Sequence, residues 1–341
     1  MVAQHWEPGY LDNHPVMPPP PGVTSNFVDP ESGSERLVIV IALFYVLSVL
    51  FISCRIYIRL RITHSFGADD WLCIVATILT LCYSGLILKL LFRPGGGMLG
   101  VHLWDVPLSH YVYYRRGAVA DIILICICTA LIKVAFLVFY FRLFYPVAHI
   151  RIMVRVGIVV VVVWYTAIMI INLVACTPWP NQHGKWLDRS LVARCFGTAP
   201  TLMTAGAYMN VVTDFYILFI PMHQVPRLGL SRKKKIGVGF IFLTGLLACA
   251  SGMVNLIIRS KEEIFDPADF SWTIIPVYTT SIVEMNIGLL CLTMPVVSNP
   301  CVGRITELGI CLRSWIKDRH SSPNHSGDST WNLALENATA L

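Results

Sequence analysis

The sequence predicts an all-α membrane protein, a seven-transmembrane helix bundle with its N-terminus outside and its C-terminus in the cytoplasm. Three observations carry this. Hydrophobic residues make up 55% of the 341 positions and charged residues only 13%, against about 25% charged in soluble domains. The apolar residues fall into seven runs, near 37–54, 71–91, 117–142, 156–176, 198–222, 236–258 and 272–297, and a hydrocarbon core of about 30 Å takes roughly 20 helical residues to cross. No run shows the polar alternation of a membrane barrel, and lipid leaves exposed backbone amides unsatisfied, so the runs are read as helices.

Residues 1–35 are acidic and proline-rich, with Met17-Pro18-Pro19-Pro20-Pro21 and no apolar core. They read as a disordered non-cytoplasmic segment without a cleavable signal, which leaves targeting to the first run. The membrane domain then spans 36–298. Orientation rests on basic residues. Eleven lie between odd- and even-numbered runs (Arg55, Arg59, Arg61, Arg142, Arg151, Arg155, Arg227, Arg232, Lys233, Lys234 and Lys235), against eight on the other side, Arg115, Arg116 and Arg259 among them. The tight cluster from Arg232 to Lys235 abuts the sixth run, where the positive-inside rule has most force.

That orientation puts Cys176 and Cys195 on the oxidising side, where they are expected to pair. The bridge would close a loop of roughly 20 residues and contribute about 3 kcal/mol; two unpaired thiols are the alternative. The other cysteines sit mostly in apolar runs as small hydrophobes, and their spacing offers no metal site. After the seventh run, 299–319 place Val302, Ile305, Leu308, Leu312, Trp315 and Ile316 at helical spacing between Arg304, Arg313, Lys317 and Arg319. This is the pattern of an interfacial amphipathic helix. The remaining 320–341 read as a disordered cytoplasmic tail, in which the sequons at Asn324 and Asn337 would stay unmodified.

An ionisable group inside a bilayer costs several kcal/mol unless paired or hydrated, so each one is a functional candidate. Five stand in the runs: Lys89, Asp121, Lys133, Asp214 and Glu284. Lys89 lies near a helix end and can snorkel to the headgroups. Asp121, one turn inside the third run, suits the positive end of a helix dipole. Lys133 and Asp214 each lie roughly 15 positions into runs of the same direction and so reach similar depth. An interhelical ion pair is therefore available, with Asn210 one turn from Asp214. It reads either as a pair fixing helix packing or as a catalytic or switching pair.

Glu284 in the seventh run has Asn286 nearby. Beside a hydrophobic pocket a carboxylic acid can protonate an epoxide or alkene, or report ligand arrival by changing charge; the structural alternative is a hydrogen bond to a neighbouring helix. Asp69 and Asp70 precede Trp71, where they are expected to cap the second helix and neutralise Arg55 or Arg59. Gly95-Gly96-Gly97 lacks the strand and helix context of a phosphate cradle. The charge of +6 is divided among loops, which points to the bilayer as partner, with no nucleic acid.

Taken in order, these residues resemble the fungal rhodopsin-like integral membrane domain, the family of the satratoxin-cluster membrane proteins, related to appressorium-type receptors. The resemblance is carried by Arg55-x-Tyr57-x-Arg59, Gly67-Ala68-Asp69-Asp70-Trp71, Gly100-x-His102, Lys133 with Tyr140-Phe141-Arg142-Leu143-Phe144, and Cys176-x-Pro178-Trp179 with Trp186. It continues through Asn210-x-x-x-Asp214 with Ile220-Pro221, and Glu284-x-Asn286-x-Gly288 with Pro295.

The resemblance implies a fungal multi-pass protein of the plasma membrane or an endomembrane. It does not imply retinal, since 272–297 contain no lysine for a Schiff base, and no cofactor or metal is expected. The expected role is in a secondary-metabolite pathway, binding or transforming a small hydrophobic metabolite. Glu284, Asp214 and Lys133 are the candidate catalytic groups, and Asn210, Asn286, His102 and Asp121 the candidate binding groups. The alternatives are a receptor-like sensor acting on cytoplasmic signalling proteins, and a scaffold for pathway proteins.

Overall fold

Glu35 opens the first long helix behind Ser34, its carboxylate at the positive end of the dipole. The computed structural model describes residues 9–92, 97–179, 186–224, 232–261 and 269–320, the side chains of 223–238, 240, 241, 244 and 298–320 excepted. The helices are α1 (Tyr10–Asn13), α2 (Glu35–Tyr57), α3 (Ala68–Leu91), α4 (Leu108–Leu143), α5 (Ala148–Cys176), α6 (Arg189–Gln224), α7 (Arg232–Arg259), α8 (Phe270–Thr273) and α9 (Ile275–His320). Among the described residues there is no strand, only two isolated bridges. The chain divides into two units, 1–297 and 298–341.

Six helical stretches are long and apolar enough to cross a membrane: Glu35–Ile62, Ala68–Leu91, Leu108–Leu143, Ala148–Cys176, Arg189–Met222 and Phe270–Val297. In α7 the apolar stretch among the described residues is the shorter Gly245–Arg259. The amphipathic face expected over 299–319, the tail at 321–341 and the side chains of the Arg232 to Lys235 cluster lie outside the described residues.

Local sequence sets the ends. Past Tyr57, α2 widens into one i→i+5 turn, closed by Thr63 N donating to the Ile58 carbonyl at 2.9 Å, and His64 at φ 46° stops it. Asp70 reaches back to accept from Gly67 N at 2.9 Å and so caps α3. Helix α4 begins at Leu108, behind Pro107, well before the apolar run at 117. Hydropathy registers only the apolar part of a helix, and Tyr111 to Arg116 prolong this one without being apolar. Asp121 is thus more than three turns inside, beyond reach of the N-terminal dipole, which fades within the first turn.

Consecutive helices pack together from α3 to α7, and α4 also meets α6. In the stretch Phe270–Val297, 61% of the most apolar window is buried, against 17% in Glu35–Ile62. The last span therefore runs through the middle of its unit, and the first lies at the edge.

Residues 9–34, which composition reads as disordered, are held at one end of the bundle. Val16 N donates to the Val106 carbonyl at 3.0 Å, Asn26 N to Asp105 Oδ1 at 2.8 Å and Gly33 N to the Gly100 carbonyl at 2.9 Å. Composition misses such backbone pairing, and prolines lower the entropy that ordering removes. Gly100, at φ +80°, is the crossing point: its N–H donates to Ser271 at 3.0 Å, and a Cβ there would meet Ile275 and Ser34 at 3.1 and 3.2 Å. Residues 1–8 lie outside the described set.

Candidate functional site

The first polar cluster joins the ends of α2, α3 and α4 to the side of α9. Arg55 is only 1% exposed and donates to Asp69 Oδ2 at 2.7 Å, to Asp70 Oδ1 at 2.8 Å and to the Leu292 carbonyl at 2.6 Å. Arg59 adds a bond to each carboxylate at 3.1 Å, and Arg142 from α4 reaches Asp69 Oδ1 at 2.7 Å. The motif residues of α2, α3 and α4 thus form one buried charge network.

A second cluster lies deeper. Lys133 of α4 is paired with Asp214 of α6 and donates to the Asn210 carbonyl at 3.0 Å. The Asn210 amide donates in turn to Glu284 Oε1, while its Oδ1 accepts from the Tyr165 hydroxyl at 3.0 Å. Asn255 of α7 donates to Glu284 Oε2 at 2.5 Å and accepts from Arg259 Nε at 2.9 Å. Arg259 also donates to Ser281 Oγ at 2.8 Å. Among the described residues no carboxylate lies within ion-pair distance of Arg259, which is 9% exposed. Gly252 leaves room for the cluster, since a Cβ there would stand 3.0 Å from Asp214 Oδ2.

Glu284, Asn210, Asn255 and Arg259 face a cavity of about 100 Å³ between α3, α4, α5, α6, α7 and α9. Its apolar wall includes Ile122, Ile125, Ile168, Leu202, Met203, Val277 and Met285, and Gly206 and Ala207 keep the α6 wall thin. Asp121 and Tyr83 line it too; Asp121 Oδ2 accepts from the Tyr278 hydroxyl at 3.4 Å. Lys133 and Asp214 do not line it but stand behind Asn210.

Two of the expected binding residues lie elsewhere. Asn286 accepts from Ser48 at 2.6 Å and joins α9 to α2. Two positions from Glu284 on a helix is about 200° of rotation, so the pair points to opposite sides. His102 is stacked between Trp104 and Trp272 at centroid distances of 4.3 and 4.2 Å, its Nδ1 2.6 Å from Asp269 Oδ2. It fastens the loop before α4 to the start of α8. Cys176 and Cys195 form the expected disulfide.

Asn255, Arg259, Tyr83, Tyr165, Asn172 and Tyr278 are cavity residues that sequence reasoning passed over. For Arg259 a signal existed. Asn255 and Arg259 stand at i and i+4 on one helix face, yet the apolar run ending at 258 put Arg259 in a loop. Among the described residues no group of histidine, cysteine and carboxylate side chains is arranged to hold a metal ion.

A family model, that of the fungal rhodopsin domain, matches residues 54–303. The chain belongs to that family. As a fungal rhodopsin domain protein with six apolar helices of spanning length, it is a multi-pass integral membrane protein. It is 26% identical over 301 residues to fugralins biosynthesis cluster protein 2 of Gibberella zeae, which covers 86% of this chain and 71% of the relative. It is 24% identical over 259 residues to wortmanamides biosynthesis cluster protein C of Talaromyces wortmannii, covering 75% and 68%. Satratoxin biosynthesis SC1 cluster protein 4 of Stachybotrys chartarum is 24% identical over 166 residues, covering 48% and 57%. No solved structure matches the chain.

Proposed function

We propose that this protein serves a fungal secondary-metabolite pathway by binding or transforming a small hydrophobic metabolite in the cavity between its helices. The observation that carries the reading is Glu284, a carboxyl group in an otherwise largely apolar wall, held by Asn210 and Asn255 and open to the cavity. The names of the relatives, which place them in biosynthetic clusters, support the same reading. Glu284 is the group that can exchange a proton with a bound alkene or epoxide. Lys133 and Asp214 act through Asn210 as its positioning pair.

The proposal includes α7 as a seventh crossing, the N-terminus outside and the C-terminus cytoplasmic. The positive-inside bias supports it, and moving Arg259 from loop to cavity lowers the opposing count.

Metabolite profiling tests the function. A deletion strain should accumulate a pathway intermediate, and wild-type protein should restore the product where Glu284→Gln at equal membrane abundance does not. An unaltered metabolite profile in the deletion strain would remove the pathway role and leave the sensor reading. That reading draws on the charge network between α2, α3, α4 and α9, with Arg142 at its partly exposed edge.

A further inference from the structure

The cavity wall holds polar atoms that the described residues do not satisfy. Asp121 is 8% exposed, Asn172 3% and Tyr83 0%, and they come from α4, α5 and α3. Asp121 Oδ1, Asn172 Oδ1 and the Tyr83 hydroxyl have no hydrogen-bond partner among the described residues. Asn172 spends its amide N–H on the Ile168 carbonyl at 3.0 Å. The Tyr83 hydroxyl lies beside Asp121 and interacts with it, at a geometry too poor for a full hydrogen bond. Buried polar groups are nearly always paired, and a cluster of exceptions facing one cavity marks where a ligand's polar group belongs.

The same wall selects the chemistry of that group. Arg259 lines the cavity together with two carboxyl side chains, Asp121 and Glu284. A carboxylate or an ammonium would be drawn by one sign of charge here and repelled by the other, and would give up its hydration on entering a largely apolar cavity. A neutral polar group is spared both the repulsion and most of that desolvation cost. It must also find partners among a tyrosine hydroxyl, a carboxyl oxygen and the amide oxygen that Asn172 turns to the cavity. A hydroxyl donates one hydrogen bond and accepts two, so it can give its proton to one of the acceptor oxygens, Asp121 Oδ1 or Asn172 Oδ1, and accept from Tyr83. The rest of the lining, from Ile122 and Ile125 across to Met203 and Val277, suits a hydrocarbon body.

We infer that the cavity takes an apolar alcohol, whose hydroxyl group sits among Asp121, Tyr83 and Asn172. This rests on the cavity being the metabolite site and names the class of molecule it admits. Glu284 then faces the hydrocarbon part, and the hydroxyl end sets the orientation.

Matched ten-carbon probes test it, with full-length protein in lipid nanodiscs. A decanol carrying a photoreactive diazirine is crosslinked, and the labelled peptides are located by mass spectrometry, with decan-1-ol, decane, decanoic acid and decylamine as competitors. Labelling should fall on cavity-lining peptides, and decan-1-ol should compete about tenfold better than the other three, as expected where a site is built to bond a hydroxyl. Tyr83→Phe, which keeps the ring, and Asp121→Leu should each erase most of that advantage; the wild-type comparison needs neither variant to fold. Equal competition by decane and decan-1-ol at labelled cavity residues would overturn the alcohol assignment and leave the metabolite cavity standing. Strongest competition by decanoic acid would move the head group to Arg259. Absence of cavity labelling, with no competition by any probe, would remove the cavity reading and this inference together.

Discussion

Arg55 donates through Nη1 to the Leu292 carbonyl at 2.6 Å, so a side chain of α2 holds the backbone of α9. Its other donors are occupied by Asp69 and Asp70, which are 0% and 2% exposed. The planar guanidinium serves three acceptors at once, whereas a lysine ammonium carries its charge at one point. Breaking a buried charge network at one member costs about 3–5 kcal/mol, because its partners stay buried and uncompensated. Arg55→Ala is expected to lose about that much and Arg55→Lys to recover little, read as thermal unfolding in nanodiscs. A change of under ~1 kcal/mol for either would show that the pairing does not hold the helices.

The Lys133–Asp214 pair lends itself to a double-mutant cycle. Lys133→Met leaves a buried carboxylate and Asp214→Leu a buried ammonium, so each is expected to cost about 3–5 kcal/mol, while the double substitution restores much of the loss. If the pair positions Asn210 for Glu284, the double variant should fold yet fail to restore the pathway product. A double variant with full product formation would leave the pair a purely structural role.

Parts of this arrangement were legible in the sequence for a simple reason. Charges in apolar runs stand out, and rise per residue gives their depth, so the meeting of Lys133 and Asp214 could be read from spacing. The cystine followed from compartment, and Asp69 and Asp70 from cap chemistry. Azimuth was the harder quantity. In a helix with lipid on one side and apolar neighbours on the other, hydrophobicity does not tell the two faces apart, so Glu284 and Asn286 looked like one site. The tyrosines around Asp121 were hidden for the same reason, since a tyrosine in an apolar run reads as core or as membrane rim.

The Cys176–Cys195 bridge spans a sequence separation of 19 and joins the end of α5 to the start of α6. Loop entropy assigns such a closure about 3 kcal/mol. Replacing both cysteines with alanine is expected to lower stability by about that amount, and reductant should lower the wild type similarly while leaving the variant unmoved. A wild type insensitive to reductant would argue against the bridge.

Gly100 tests the ordered N-terminal segment. Its left-handed backbone costs a side-chain-bearing residue roughly 1–2 kcal/mol, and a Cβ presses on Ile275 and Ser34. Gly100→Ala is therefore expected to destabilise by at least that much and to raise hydrogen exchange in residues 14–33, of which Gly33 donates to the Gly100 carbonyl and His14 and Val16 pair with the loop that follows it. Unchanged exchange in 14–33 would mean that the segment is held independently of this crossing.

Asn286 separates packing from binding on one helix. Its Oδ1 accepts from Ser48 and its amide donates to the Ile282 carbonyl at 2.8 Å, on the side of α9 turned from the cavity. Ser48→Ala leaves a buried acceptor unpaired, at a cost of about 1–3 kcal/mol. That substitution should lower stability without altering cavity labelling by the decanol probe, whereas Glu284→Gln, about 200° round the same helix, should change product formation. Reduced cavity labelling in a folded Ser48→Ala protein would mean that the α2–α9 contact sets the width of the cavity, and Asn286 would then act on the metabolite through packing.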